Sequence, residues 1–280
     1  MTRTVEVEQI KMGRGHPLVL IAGPCVIEDE DVVLETARRV KETAQKVGVP
    51  VIFKSSYIKA NRLRGNSYMG PGLEEGLRIL AGVKEELGLP ILTDVHCRQE
   101  VEDVAQVADV IQIPAFLCRQ TELARVVGRT GKAVNIKKGQ FLAPEDMRHL
   151  AEKVEAMGNE RILLTERGTT FGYRDLVVDM RSLVIMSQLG YPVVFDATHS
   201  VQLPGASGTT SGGQPQFILP LVRAAVATGC DALYVETHPR PEEALCDAAS
   251  MLPVHHLEEV LQVAKRIHRL TQSQEVAPST

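Results

Sequence analysis

The sequence predicts an α/β chain of one domain, a single closed (β/α)8 TIM barrel with a short N-terminal cap, and three observations carry the prediction. Apolar runs of strand length alternate eight times with stretches of helical period. A glycine-led unit opens four of those runs. The length, 280 residues, suits one large α/β barrel or two ordinary domains, and eight units in one series favour the barrel.

In chain order, residues 1–17 precede the first strand and are read as a cap over the barrel bottom. The first strand is expected over 18–22. Val33, Ala37, Val40, Ala44 and Val47 then alternate steps of four and three, the period of a helix with one apolar face. Residues 48–54 (GVPVIFK) are the first copy of the repeated unit: a glycine, a β-favouring run, and a polar residue six positions after the glycine. Such a glycine can end the preceding helix in the left-handed conformation, and proline is tolerated at a strand entrance. Leu73, Leu77, Leu80 and Val83 mark the next helix, and 88–94 (GLPILTD) the next unit. Strands are expected again over 110–113, 131–137 (GKAVNIK), 161–165, 190–196 (GYPVVFD) and 231–235. The barrel domain spans 18–270, and the polar tail 271–280 (TQSQEVAPST) is expected to fray. Strands separated by helices need right-handed crossovers and make a parallel sheet covered on both faces. The alternative, an open doubly wound sheet, is disfavoured by the number of units and by the missing Gly-rich dinucleotide fingerprint.

The net charge of -4 and pI near 6.1 supply no global cationic field, so nucleic acid and anionic membrane are poor partners. Five cysteines without paired spacing argue for a reducing cytoplasm. No apolar run approaches a membrane span, and the N-terminus lacks the apolar segment of a secretion signal.

In such a barrel the residues just past each strand converge on one pole. Here they are Cys25, Lys54, Asp94 with His96, Gln112, Lys137 with Lys138, Glu166 with Arg167, Asp196 with His199, and Glu236 with His238. Strand ends meet solvent, so any single polar residue there is unremarked; the whole set is harder to dismiss. Lys54, Lys137 and Arg167, with Lys59 and Arg62 on the next loop, would make a local cationic pocket for phosphate or carboxylate, and a solvated charged face is the plainer alternative. Cys25, His199, Glu236 and Asp247 have the donor types of a borderline divalent ion, Zn2+, Fe2+ or Mn2+. A buried cysteine is more often a small hydrophobe, so this set stays open on pattern alone. Cys246 and His238 are read as decoys beside better candidates, and Cys97, Cys118, Cys230, His255 and His256 as packing or surface. The Gly/Ser/Thr-rich stretch 200–213 is long for a strand-to-helix connection and reads as a lid.

The motifs IAGPCVIE (21–28), FKSSYIKANR (53–62), LTDVH (92–96), IQIPAFLCRQT (111–121), VNIKKGQFLAP (134–144), TERGTTFGY (165–173), FDATHS (195–200) and YVETHP (234–239) occur in order and touch every strand end. Together they resemble the family of 3-deoxy-D-manno-octulosonate 8-phosphate synthases over about residues 4–270. The resemblance implies condensation of phosphoenolpyruvate with arabinose 5-phosphate, releasing phosphate and forming the sugar acid of lipopolysaccharide. It also implies a homotetramer. The related 3-deoxy-D-arabino-heptulosonate 7-phosphate synthases use erythrose 4-phosphate and are the alternative; the run Lys59-Ala60-Asn61-Arg62 resembles the octulosonate enzymes. By resemblance, Lys54, Lys59, Gln112, Lys137 and Arg167 surround phosphoenolpyruvate, Asn61 and Arg62 face the aldose phosphate, and Asp94 and His96 lie beside them. Lys59, Asn61, Asp94 and His96 are thereby the expected catalytic group. An asparagine replaces the cysteine in the metal-independent class, so Cys25 implies the metal-dependent one, with His199, Glu236 and Asp247 completing the ligands. Many members have Ser-Ser where this chain has Leu63-Arg64, a departure at the aldose phosphate site.

Overall fold

The structure, a computed structural model, describes residues 2–62, 65–173, 175–204 and 212–273. The chain begins with an antiparallel hairpin, β1 (Val5–Val7) and β2 (Ile10–Met12). Strand and helix then alternate through β3 (Val19–Gly23), α1 (Glu30–Val47), β4 (Val51–Lys54), α2 (Leu73–Leu87), β5 (Ile91–Asp94), α3 (Val101–Val107), β6 (Val110–Ile113), α4 (Thr121–Arg129), β7 (Ala133–Lys137), α5 (Met147–Glu155) and β8 (Ile162–Glu166). A hairpin, β9 (Thr169–Phe171) and β10 (Asp175–Val177), precedes α6 (Arg181–Gln188) and β11 (Val193–Asp196). The short pair β12 (Gln202–Leu203) and β13 (Gly212–Gly213) precedes α7 (Ile218–Thr228), β14 (Ala232–His238), β15 (Leu252–Pro253) and α8 (Leu257–Ser273).

The parallel sheet runs β11-β8-β7-β6-β5-β4-β3-β14, and β11 also pairs with β14, which closes the eight strands into the barrel that the alternation predicts. Closure leaves no barrel edge unpaired. Local chemistry supports the units. Asp29 caps α1 by accepting from Val32 N–H at 2.9 Å, and Gly48 ends the same helix at φ 68°, with its N–H returned to the last turn. Gly23 serves packing instead: a Cβ there would fall 1.9 Å from the Lys54 carbonyl oxygen, so only glycine lets these strand ends approach.

Period-two alternation sorts each strand into two cores. Outward residues such as Leu20, Phe53, Ile111, Val134, Leu164, Phe195 and Leu233 pack under the helices. Inward residues Val19, Ile21, Ile52, Leu92, Val110, Ala133, Leu163, Val194 and Ala232 fill the barrel, plugged below by Val5, Val7 and Met12 of the hairpin. Toward the C-terminal ends the inward positions turn polar: Lys54, Asp94, Gln112, Asn135, Lys137, Thr165, Asp196 and Glu236, all buried.

Three sequence-based boundaries change. α8 continues to Ser273, where the Thr271 hydroxyl donates back to His268 O at 2.8 Å, so 271–273 belong to the helix rather than a tail. The stretch expected to be a lid holds the β12–β13 pair, with Gln202 opposite Gly213; its residues 205–211 lie outside the described residues, as do Leu63, Arg64 and 274–280. The β9–β10 hairpin had no counterpart in the pattern. No helix among the described residues is long and apolar enough to cross a membrane.

Candidate active site

A cavity of about 320 Å3 opens at the C-terminal pole, lined among others by Lys59, Asn61, Asp94, His96, Gln112, Lys137, Arg167 and His199. Its floor is a relay of inward side chains from adjacent strands. Asp94 accepts from Ser56 Oγ and from Gln112 Nε2; Gln112 Oε1 accepts from Asn135 Nδ2 at 2.8 Å; Asn135 Oδ1 accepts from the Thr165 hydroxyl at 2.6 Å. Each amide is thus fixed by a partner on both sides. Burial pushes the Asp94 carboxyl up, but Lys59 and Lys54, then His96, outweigh it and hold it well below the usual range.

Across the cavity, Lys137 Nζ pairs with Asp196 Oδ2 and lies 3.8 Å from the centroid of the Tyr234 ring. Asp196 stays charged, because His199 and Lys137 overcome the effect of burial. The cations fare worse: burial pulls Lys137 and Arg167 below their ordinary values despite nearby carboxylates. Arg167 Nη2 donates to Gln202 Oε1 at 3.1 Å, while its buried Nη1 has no hydrogen-bond partner among the described residues. A desolvated guanidinium with an idle N–H beside a buried ammonium is built to take an oxyanion.

Next to this wall, Cys25 follows β3, His199 follows β11, Glu236 lies on β14 and Asp247 on the loop after it. Their donor atoms form two overlapping groups, Cys25–Cys246–Asp247 and His199–Glu236–Asp247, each within 4.8 Å. Asp247 Oδ2 is 3.3 Å from Cys25 Sγ and 3.9 Å from His199 Nε2, which lies 3.6 Å from Glu236 Oε2. The other ring nitrogen, Nδ1, is 2.8 Å from Asp196 Oδ2, the arrangement by which a carboxylate orients a ligating imidazole. Asp247 is at φ 50°, a left-handed conformation that Asp tolerates better than most residues. Burial, then Cys246 and Asp247, push the Cys25 thiol well up. Thiol, imidazole and two carboxylates fit a borderline divalent ion.

The structure gives the other sequence-based candidates these surroundings. Lys54 is not on the cavity wall: it is fully buried, donating to Glu236 Oε1 at 2.7 Å and to Cys25 O at 2.8 Å, and so braces the metal-type cluster. Arg62 turns away from the cavity, donating to Cys246 Sγ at 2.7 Å and Leu245 O at 3.2 Å. Cys246 is no bystander, since its sulfur lies 3.0 Å from Cys25 Sγ. Lys138 and Glu166 face outward, 3.5 Å apart, because adjacent residues on a strand point to opposite faces; Glu166 accepts from the Ser182 hydroxyl of α6 at 2.6 Å. His238 is buried near Glu28, 3.7 Å away. Sequence reasoning missed Tyr234 and Gln140, both on the cavity wall. Tyr234 was findable, being two residues before Glu236 and therefore on the same inward face; Gln140 carries no local signal.

A closed barrel whose C-terminal pole joins a buried cationic cavity to a Cys-His-Glu-Asp cluster has the architecture of a barrel enzyme, with a pole whose charge suits anions. The profile of the DAHP synthetase I family matches residues 2–273. Curated relatives named 2-dehydro-3-deoxyphosphooctonate aldolase are 57% identical over 262 residues in Trichlorobacter lovleyi, covering 94% of this chain and 96% of the relative, and 57% identical over 262 residues in Syntrophotalea carbinolica, covering 94% and 95%. One from Geobacter metallireducens is 55% identical over 267 residues, covering 95% and 98%. The chain belongs to the DAHP synthetase I family.

Proposed function

We propose that this enzyme condenses phosphoenolpyruvate with D-arabinose 5-phosphate and water to give 3-deoxy-D-manno-octulosonate 8-phosphate and phosphate, a step toward lipopolysaccharide. The carrying observation is the convergence of Lys59, Lys137 and Arg167 on one cavity, with Arg167 Nη1 buried and without a hydrogen-bond partner among the described residues. The names of the relatives favour the octulosonate product over the heptulosonate one.

In this reading C3 of phosphoenolpyruvate forms a bond to the aldehyde carbon, water oxygen joins C2, and phosphate leaves. Arg167 and Lys137 hold the donor phosphate, replacing lost hydration with fixed charge. Gln112, held by Asn135, orients the donor from the floor. Lys59 lies by the reacting carbons as proton donor to the developing alkoxide. His96, which burial pulls below its ordinary value, is neutral near pH 7 and can take up a proton from the attacking water. Asn61 and Arg62 serve the aldose phosphate, Arg62 leaving its Cys246 contact to do so. Lys54 acts indirectly by holding Glu236. Cys25, His199, Glu236 and Asp247 would hold one divalent ion, Zn2+, Fe2+ or Mn2+, which when bound supplies Lewis acidity toward a substrate oxygen.

A homotetramer in the cytoplasm completes the proposal. Exposed Phe116, Phe141, Phe171 and Tyr173 at the C-terminal pole support self-association, being apolar area left uncovered by the described residues. The test is phosphate release from phosphoenolpyruvate with arabinose 5-phosphate or erythrose 4-phosphate, with and without chelator, beside Cys25→Ala. Turnover with the pentose phosphate, lost in chelator and in Cys25→Ala together with bound metal, is the expected result. Full activity of Cys25→Ala in chelator would remove the metal from the proposal, and turnover with erythrose 4-phosphate alone would replace the acceptor.

A further inference from the structure

Behind the cavity wall one carboxylate oxygen gathers the groups that hold His96. Glu100 Oε2 accepts from the Tyr57 hydroxyl at 2.8 Å, from His96 N–H at 3.0 Å and from Cys97 N–H at 3.3 Å. The same oxygen is 3.6 Å from His96 Nδ1, beyond a hydrogen bond yet close enough for charge to act. That nitrogen is buried with no hydrogen-bond partner among the described residues. The Tyr57 ring meets the imidazole edge-on, centroids 5.4 Å apart and planes at 86°. Tyr57 in turn cannot yield, because it is fully buried and α2 packs on it so tightly that a Cβ on Gly76 would fall 2.3 Å from Tyr57 Cβ.

We propose that Glu100, braced by Tyr57, is a positioning residue: it fixes the orientation of His96 in the cavity and places a negative charge behind the ring. Its effect on turnover rests on the function proposed above; its effect on the ring does not. The groups facing His96 are Asp94, Glu100, Lys59 and Tyr57. Burial pulls the imidazole down, Asp94 and Glu100 lift it, and Lys59 opposes them. Removing the Glu100 charge therefore lowers it further. A glutamine keeps an oxygen to receive the three N–H and O–H donors while discarding the charge, whereas alanine discards both.

The experiment uses the full-length, metal-loaded protein and its Glu100→Gln, Glu100→Ala and Tyr57→Phe variants. Histidine ring NMR titrations, assigned with His96→Asn, are read beside kcat and KM. In both Glu100 variants the His96 midpoint should fall by about 1 pH unit. Turnover should drop roughly tenfold or more in Glu100→Ala and recover most of that in Glu100→Gln, the pattern of lost placement. Tyr57→Phe, which keeps the ring, should show a smaller loss in the same direction. A wild-type His96 titration in Glu100→Gln overturns the electrostatic half of the proposal. Equal losses of kcat in Glu100→Gln and Glu100→Ala overturn the positioning half. Absence of turnover in every protein, wild type included, would count against the proposed function, while the titration would still decide the ring's dependence on Glu100.

Discussion

The two ends of the barrel interior are made by the same strands and do opposite things. At the N-terminal end the inward side chains are Val, Ile, Leu and Ala, closed off by Val5, Val7 and Met12. Two or four residues later on the same faces they become Lys54, Asp94, Gln112, Asn135, Lys137, Asp196 and Glu236. The lower layer gains from burial, while the upper layer is a desolvated polar network in which Lys137 and Arg167 are held below their ordinary values by burial. Stability and reactivity are therefore separated by about one turn of the pleat, and variants can address each.

The largest effect should come from the upper layer. Arg167→Met removes the idle donor and should lower kcat/KM for phosphoenolpyruvate by about 100-fold or more. Its thermal midpoint should not fall, because the guanidinium is poorly compensated in the free protein; a lower midpoint with intact kinetics would erase the contrast between the poles. In the lower layer, Leu163→Ala should cost about 2–5 kcal/mol in denaturant unfolding, with the kinetics of the folded fraction retained. A large kinetic loss there would show that the layers are coupled.

The smallest effect sharpens the comparison through pH. Asp231, at the lower end of the barrel, accepts from Val193 N–H at 2.7 Å, and burial pushes its carboxyl up to about 6. The unfolded carboxyl titrates near ~4, so the folded chain holds the extra proton between these values. The stabilisation is full below about pH 4 and is lost as pH rises through 6, worth up to about 3 kcal/mol. In Asp231→Asn that slope should flatten in midpoints measured from pH 4 to 7; an unchanged slope would clear Asp231 of the role. Asp196 and Asp94, held low in the upper layer, act the other way, contributing at neutral pH and failing only in strong acid.

Much of the barrel was legible because its signal is local. The glycine-led units at 48–54 and 190–196 hold both the helix stop and the strand, and the apolar run 110–113 is the observed β6. The site was legible where a residue ends a strand facing inward, as Lys137 and Gln112 do. It was misread at Lys138 and Glu166, where strand alternation, applied one residue further, would have turned both outward. The meeting of Arg62 and Cys246 at 2.7 Å was illegible for a different reason: it depends on two loops whose paths no periodicity encodes.

By itself the sequence determined the period of every barrel strand, the polar character of one pole and the family to which its motifs belong. These are properties of side-chain spacing and chemistry, and survive without coordinates. Only the tertiary structure decided that Asp247 joins Cys25 at 3.3 Å, that Lys54 braces Glu236 instead of lining the cavity, and that the Tyr57 hydroxyl reaches Glu100 at 2.8 Å. Such contacts bring together residues far apart in the chain or on separate loops, and they form only once barrel closure has fixed the strand ends and burial has forced each polar group to find a partner.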